Sequence, residues 1–534
     1  MTEPTAALSR PRIIGVLFAL LFVWALLVAP DRLEAMKAAS FARVPVELPV
    51  LLLLLLLVGG AMGAVIRSLT TIALFLLLVA KLANAGMYFA SGRPFDLVLD
   101  LDLLGAVRNL MSGTLGNVLA VLGIIALINA LFGLLFLIWI SLRMLGRFAQ
   151  IPGPQRIALA AFSAISIAGF VLDTPGVTAN ASNLLISQVT RAQQSAVDLD
   201  AFHREATSDP ITEELPADLL TALAGNDVYV VFFESYGGTL LTDPAFKART
   251  ETALAKFDEA LARKHMVARS GFLTSTTLGG QSWLAHSTLL SGLRIDNQRR
   301  YQALVRGTHG TLVKDFKRAG WTTEAVMPGI TMPWPEGQWF GFDRVMAAKD
   351  LGYRGKSFDW VTMPDQFTLE SFERLKGDGP VMAQITLLSS HIPWAPLPSL
   401  VEWEKIGDGT IFNAQVDAGE PPDTVWRSPD QVRDHYLRSI EYVLATLSSW
   451  IERYGNERTV VIVVGDHQPI PWVAGKDVGH SVPVHIIAGN PSTLARIDGW
   501  RWTNGMRPSL NVEAWPMEEF RKRFVAAFSG SGSS

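Results

Sequence analysis

The sequence predicts two folds in one chain: an N-terminal bundle of five transmembrane helices, then an α/β domain on a mostly parallel, doubly wound sheet. Three observations carry this. The 534 residues exceed the usual length of a single domain. Hydrophobic residues make up 49% of the chain at a mean hydropathy of +0.27, and the apolar excess sits in the first third. Beyond residue 226, short apolar runs alternate with helical periodicity, the pattern of strands covered by crossover helices.

Composition excludes several function classes. Lys and Arg number 46 against 49 Asp and Glu, a net charge of −3, so no basic excess marks a nucleic-acid partner. The chain has no cysteine, which removes disulfides, thiolate metal sites and a Cys nucleophile. High apolar content with small net charge is incompatible with extensive disorder.

Five apolar stretches reach or approach the roughly 17–25 residues that cross a bilayer: 13–30, 48–66, 69–90, 118–142 and the shorter, Ser-containing 157–172. The first resembles a cleavable leader, but four further spans favour an uncleaved anchor. Arg10, Arg12, Arg67, Arg143, Arg147 and Arg156 fall before or between spans on one side, without acids in the fourth-to-fifth loop. The opposite loops mix signs. The positive-inside rule then makes the Arg-bearing side cytoplasmic and everything after Asp173 extracytoplasmic. Residues 92–116 read as amphipathic helices on the outer membrane surface. Lys81 lies inside the third span, where it either snorkels to the outer interface or contacts a lipid phosphate there. The resulting domain plan is a transmembrane domain over 1–173, connector helices over 174–226, an extracytoplasmic α/β domain over 227–505, and a C-terminal helix with a flexible tail over 506–534.

In the second domain, strands are expected near 227–234, 323–327, 381–388, 459–464 and 482–488, with helices at 244–264, 312–319, 367–375 and 430–454. Ligands of such sheets bind beyond the carboxyl ends of the strands. Three of those ends are polar: Glu234-Ser235-Tyr236-Gly237, Ser389-Ser390-His391 and Gly465-Asp466-His467-Gln468. A fourth element is the turn Gly279-Gly280-Gln281-Ser282 leading into an apolar helix. Singly, each is as well explained by a helix cap or a surface position. Jointly they supply two carboxylates and an imidazole, the ligand mixture of a divalent site with an open position. Ser282 at a helix N-terminus would have its developing alkoxide stabilised by the metal and the helix dipole, and the turn's N–H groups suit an oxyanion.

The segments FFESYGG, TSTTLGGQSWLAHSTLLSG, LLSSHIPW, VVGDHQP and GHSVPV resemble signatures of the alkaline phosphatase/sulfatase superfamily. The branch they look most like is the membrane-anchored one containing lipoteichoic acid synthases and phosphoethanolamine or phosphoglycerol transferases. That resemblance implies an alkaline-phosphatase-like catalytic domain behind five spans, in a bacterial cytoplasmic (inner) membrane, multi-pass, with the catalytic domain on the periplasmic side. Carried over by position, it implies metal ligation by Glu234, Ser282, Asp466 and His467 and nucleophilic attack by Ser282. It also implies that His391 and His480 hold the transferred phosphate or assist the leaving group, with His485, inside an apolar strand, the rival for the second role. One divalent ion, Zn or Mn, is expected, with a second transient ion as an alternative.

Departures narrow the substrate. Ser282 is followed by Trp283, Leu284, Ala285 and His286, so the formylglycine maturation signal of true sulfatases is missing. The disulfides that brace lipid A phosphoethanolamine transferases cannot form. Thirteen of the 15 tryptophans lie from Trp283 onward; Trp334, Trp339, Trp394 and Trp472 sit in loops, where they either face sugar rings or pack inward. Trp334 and Glu336 fall where the lipoteichoic acid branch contacts its head group. The expected activity is transfer of a phospho-head group from a phospholipid donor to a glycan or lipid acceptor through a Ser282-linked intermediate. The alternatives are a phosphodiesterase or sulfuric ester hydrolase using water, and a catalytically silent membrane scaffold.

Overall fold

The computed structural model describes residues 10–101, 103–151, 153–174, 176–213, 218–475 and 478–530. Asp102 and the expected flexible tail at 531–534 lie outside them. The chain divides into two compact units, residues 1–89 with 93–197, and 90–92 with 198–534.

The first unit is helical: α1 (Arg10–Val28), α2 (Glu47–Leu57), α3 (Gly60–Ser91), α4 (Leu103–Ala149), α5 (Pro154–Val171) and the start of α6 (Asn180–Glu205). Its core is aliphatic, with Val23, Leu48, Leu52, Leu55, Leu77, Ile138 and Leu142 buried where α1 packs on α4 and α2 on α5. The five-span count is not reached as expected. Among the described residues two helical stretches are long and apolar enough to cross a membrane, Gly60–Ala90 and Val118–Ala149, and three apolar helices are shorter. The expected second span breaks: α2 ends at Leu57, Val58 is extended, and Gly60, at φ 61°, starts a new helix. The 11 residues of α2 rise only about 16 Å. Arg67 therefore lies within α3 rather than in a loop. Residues 103–115 are helical, and Gly116 (φ 78°, ψ 157°) separates them from the apolar stretch that follows.

The second unit carries a nine-stranded sheet. Its strands are β1 (Asp227–Phe233), β2 (Val267–Thr274), β3 (Thr322–Met327), β4 (Arg344–Ala347), β5 (Val381–Leu387), β6 (Thr459–Gly465), β7 (Ser481–Ala488), β8 (Thr503–Asn504) and β9 (Trp515–Pro516). The order is β8-β2-β7-β6-β1-β5-β3-β4, with β9 paired to β2. All five predicted strands form. The doubly wound parallel plan holds only in part: β6, β1, β5, β3 and β4 pair in parallel, but β7 is antiparallel to both β6 and β2. Among the described residues, the connection from β6 to β7 contains one short helix, Pro471–Ala474, and no long crossover helix of the kind that usually joins parallel neighbours. The sheet is mixed.

Both faces are covered, which explains the unbroken apolar runs. Along β1, Tyr229, Val231 and Phe233 enter one core with Phe246, Leu254 and Phe257 of α7 (Pro244–Arg263). Val228, Val230 and Phe232 enter the other, with Leu284, Ala285 and Leu289 of α8 (Ser282–Ser291) and Phe520 and Phe524 of α9 (Glu519–Phe528). Four strands of this sheet escaped the sequence reading: β2, β4 and the two-residue β8 and β9. In β2 the run VARSGFLT is interrupted by Arg269, Ser270 and Gly271; a Cβ on Gly271 would lie 2.5 Å from the Trp502 indole nitrogen, so packing demands glycine there. β4 is only four residues long at the sheet edge.

Candidate active site

Register brings the polar strand ends together. Phe233 of β1 is level with both Gly465 of β6 and Leu387 of β5, so Glu234, Asp466 and the Ser389–His391 segment leave the sheet side by side. Thr274, the last residue of β2, pairs with Ser481, the first of β7. Because β7 runs antiparallel, its N-terminal end, preceded by His480, lies at this same edge. The loop from β2 then closes on it: Ser275 N–H donates to the His480 carbonyl (2.9 Å) and Gly279 N–H to the Gln468 carbonyl (3.0 Å). Gln281, in the left-handed region at φ 63°, turns the chain so that Ser282 is the first residue of α8.

Ser282 Oγ donates to Glu234 Oε2 at 2.9 Å and lies 3.1 Å from His467 Nε2. His467 Nε2 is 3.2 Å from Glu234 Oε1 and 3.7 Å from Asp466 Oδ2. One ligand atom from each of Glu234, Asp466 and His467 lies within 4.8 Å of the others. The supporting contacts orient these groups. Asp466 Oδ1 accepts the N–H groups of Ser235 (2.8 Å) and His467 (2.7 Å). His467 Nδ1 donates to the Gln468 carbonyl at 2.7 Å, which leaves Nε2 as the nitrogen that could coordinate a metal. The close approach of Gln468 also requires Gly237: a Cβ there would lie 2.0 Å from Gln468 Oε1.

These residues fit a divalent cation. Asp466 Oδ2 is buried and has no hydrogen-bond partner among the described residues. Burial, then the Glu234 charge, pushes the Asp466 carboxyl up to about 7. Burial works the same way on Glu234, but the facing His467 and His391 outweigh it and hold that carboxyl well below its usual range. The two acids in turn outweigh burial at His467 and raise it to about 9. A bound cation relieves the repulsion between the two carboxylates and takes up the orphaned oxygen.

The remaining predicted residues are placed as follows. His391 is half-buried and stacks on Trp360 at 4.1 Å; the preceding Ser390 hydroxyl donates to the Glu234 carbonyl (2.6 Å). His480 Nδ1 is buried without a partner among the described residues, and burial lowers its pKa. His485 is fully buried between Ser270 Oγ (2.7 Å) and the Tyr236 hydroxyl (3.1 Å), a satisfied core histidine. Trp334 packs on Phe340 and Phe342 at 5.9 and 6.3 Å, and Glu336 acts electrostatically on Tyr301; no described contact links either to Ser282. Trp394 is buried, with its indole N–H on the Ser390 carbonyl, whereas Trp472 is exposed and stacks on Trp426 at 5.4 Å.

His286 was missed. It is buried, stacks on Phe232 at 3.8 Å, and its Nε2, without a hydrogen-bond partner among the described residues, faces Asp466 Oδ2 at 4.0 Å. Burial lowers its pKa to about 3, so the ring is neutral. The available signal was spacing: four residues after Ser282 on one helix, it projects from the same face.

Residues 249–483 match the family model described as Sulfatase. No curated protein matches. Solved structures of similar fold include the lipoteichoic acid synthase LtaP from Listeria monocytogenes (13% identity, TM-score 0.36, covering 55% of this chain and 71% of that one). A second is the C-terminal periplasmic domain of EcEptC from Escherichia coli in complex with Zn (14%, 0.37, 58% and 83%). A third is Streptococcus pyogenes phosphoglycerol transferase GacH in complex with sn-glycerol-1-phosphate (14%, 0.35, 55% and 75%).

Proposed function

We propose that this chain, whose residues 249–483 are a sulfatase-family domain, is a membrane-anchored, metal-dependent transferase. It moves a phospho-head group, phosphoglycerol or phosphoethanolamine, from a phospholipid to an extracytoplasmic glycan or lipid acceptor. The observation that carries the reading is the Ser282 hydroxyl, at the first turn of α8, within hydrogen-bond reach of both Glu234 and His467.

Glu234, Asp466 and His467 would hold the divalent ion, with Ser282 as the fourth ligand. When bound, the ion lowers the pKa of the hydroxyl and neutralises charge on the phosphoryl oxygens. Ser282 Oγ attacks phosphorus, the bond to diacylglycerol breaks, and a phosphoserine ester carries the head group until the acceptor hydroxyl attacks it in turn. The first turn of α8 offers its free N–H groups to the phosphoryl oxygens. His391, held flat against Trp360, and His480 move protons to the leaving group and from the acceptor. Because Ser282 lacks the formylglycine signal, it acts as a plain alkoxide, and its ester is stable between the two half-reactions.

The test is intact mass of the purified full-length protein incubated with phosphatidylglycerol or phosphatidylethanolamine. A glycerol-phosphate or ethanolamine-phosphate adduct on Ser282 is expected, lost together with head-group release in Ser282→Ala. Release by Ser282→Ala within tenfold of wild type would refute the covalent mechanism and favour water as nucleophile.

A further inference from the structure

The first unit contains a polar cavity of about 690 Å³ that the chemistry at Ser282 does not use. It opens where α1 ends at Val28, beside residues 81–88 near the end of α3, and against residues 180–191 at the start of α6. The ends of apolar helices are where a membrane's hydrocarbon gives way to head groups.

Its lining is cationic. Arg32, Arg43, Lys81 and Arg191 face one carboxylate, Asp31, which already accepts from Asn84 Nδ2 (2.7 Å). The four cations have different tasks. Lys81, the residue left open between two readings by the sequence, neither snorkels into solvent nor is free for a ligand. Its Nζ donates to the carbonyls of Leu26 (2.8 Å), Leu27 (2.9 Å) and Ala29 (2.6 Å), capping the C-terminus of α1 with a positive charge. It contributes field, not hydrogen bonds. Arg32 is pinned over the Tyr88 ring at 3.9 Å. Arg43 is exposed and makes no hydrogen bond or ion pair among the described residues. Arg191 is the telling one: Nε and Nη2 are both buried and have no partner among the described residues. Guanidinium donors withdrawn from water and left unpaired are costly, and an anion removes that cost by accepting from both in the fork geometry that suits phosphate.

We propose that this cavity binds the phosphate of an anionic phospholipid head group, with Arg191 and Arg43 as its hydrogen-bonding ligands and Lys81 supplying charge from the α1 terminus. The cavity is far larger than an inorganic anion needs and falls within the usual range of organic-ligand pockets, roughly 300–1,000 Å³. Val28 and Leu184 on its wall suit the glycerol backbone and first acyl carbons. The inference rests on the membrane reading of the apolar helices but not on catalysis at Ser282.

The experiment uses the full-length chain in mild detergent, with native mass spectrometry to count retained lipid and thermal unfolding to rank ligands. Phosphatidylglycerol should be retained and should raise the melting temperature, whereas diacylglycerol, which lacks the phosphate, should not. Arg191→Gln and Arg43→Gln should each weaken phosphatidylglycerol binding at least tenfold, and Arg43→Lys should restore most of it. Arg43 is exposed, so its variants test the site without disturbing the core. Equal stabilisation by inorganic phosphate would identify a free-anion site and overturn the lipid assignment. Phosphatidylglycerol binding within twofold of wild type in both glutamine variants would overturn the site itself. Recovery of the protein in the soluble fraction without detergent would overturn the membrane reading on which the inference rests.

Discussion

Replacing Arg521 with methionine should destabilise the second unit strongly, because that guanidinium is fully buried and bridges two buried carboxylates. Its Nε and Nη2 donate to Asp315 at 2.8 and 3.1 Å, and its Nη1 and Nη2 to Asp209 at 3.2 and 3.1 Å. Nη1 also donates to the carbonyl of Ser291 at 3.0 Å, the last residue of the helix whose first residue is Ser282. Removing one partner of a buried ion pair typically costs about 3–5 kcal/mol, most of it from the charge left unpaired. At about 2 °C per kcal/mol for a unit of this size, the melting temperature should fall by roughly 6–10 °C. Thermal unfolding of the purified protein, followed by circular dichroism, reads this directly. Adding Asp315→Leu to Arg521→Met should recover part of the loss, because burial already opposes the Asp315 charge. A shift below about 2 °C for the single variant, or a further loss in the double variant, would show that the cluster is not what holds α9 against α8.

Asp466→Asn and Glu234→Gln should each lower divalent-metal affinity more than about 100-fold with the fold retained, since loss of a mere outer partner already costs 10–100-fold; full metal content in both purified variants would show that other residues bind it. His286→Phe keeps the stack on Phe232 but removes the nitrogen facing Asp466, so metal affinity should drop about tenfold while melting stays within about 2 °C; unchanged affinity would assign His286 to packing alone. Asp209 gives a pH dependence: burial raises its carboxyl, but Thr212 and Arg521 outweigh it and hold it at about 2. A depressed carboxyl contributes its stability above its unfolded value and loses it as pH falls through the folded one. The melting temperature should therefore drop between about pH 4 and pH 2, by the equivalent of about 1–2 kcal/mol, and Asp209→Asn should flatten that part of the profile. An identical acid limb in the variant would assign the loss to other carboxylates.

Much of the candidate site was legible because its signals are local. A strand buried on both faces leaves an unbroken apolar run, so the ends of β1, β5 and β6 could be read from the chain, and with them Glu234, His391, Asp466 and His467. The Gly-Gly-Gln-Ser turn marked the start of α8 through its backbone demands, with Gly279 at φ 74° and Gln281 at φ 63°. Strands with mixed patterns were not legible. β2 carries Arg269, Ser270 and Gly271 because its burial depends on Trp502 and on His485, residues more than 200 positions away.

By itself the sequence determined where the strands buried on both faces run and which residue types end them, since hydrophobic period and turn chemistry act over a few residues. Tertiary structure alone decided strand direction and register. His480 stands at the same sheet edge as Glu234 and Asp466 only because β7 runs against β6. It also decided where each charge finds its partner. Lys81 became the cap of α1, His286 came to face Asp466, and Arg191 was left with unpaired donors. Pairing energies of buried polar groups depend on atoms brought together from distant parts of the chain, and no local pattern encodes them.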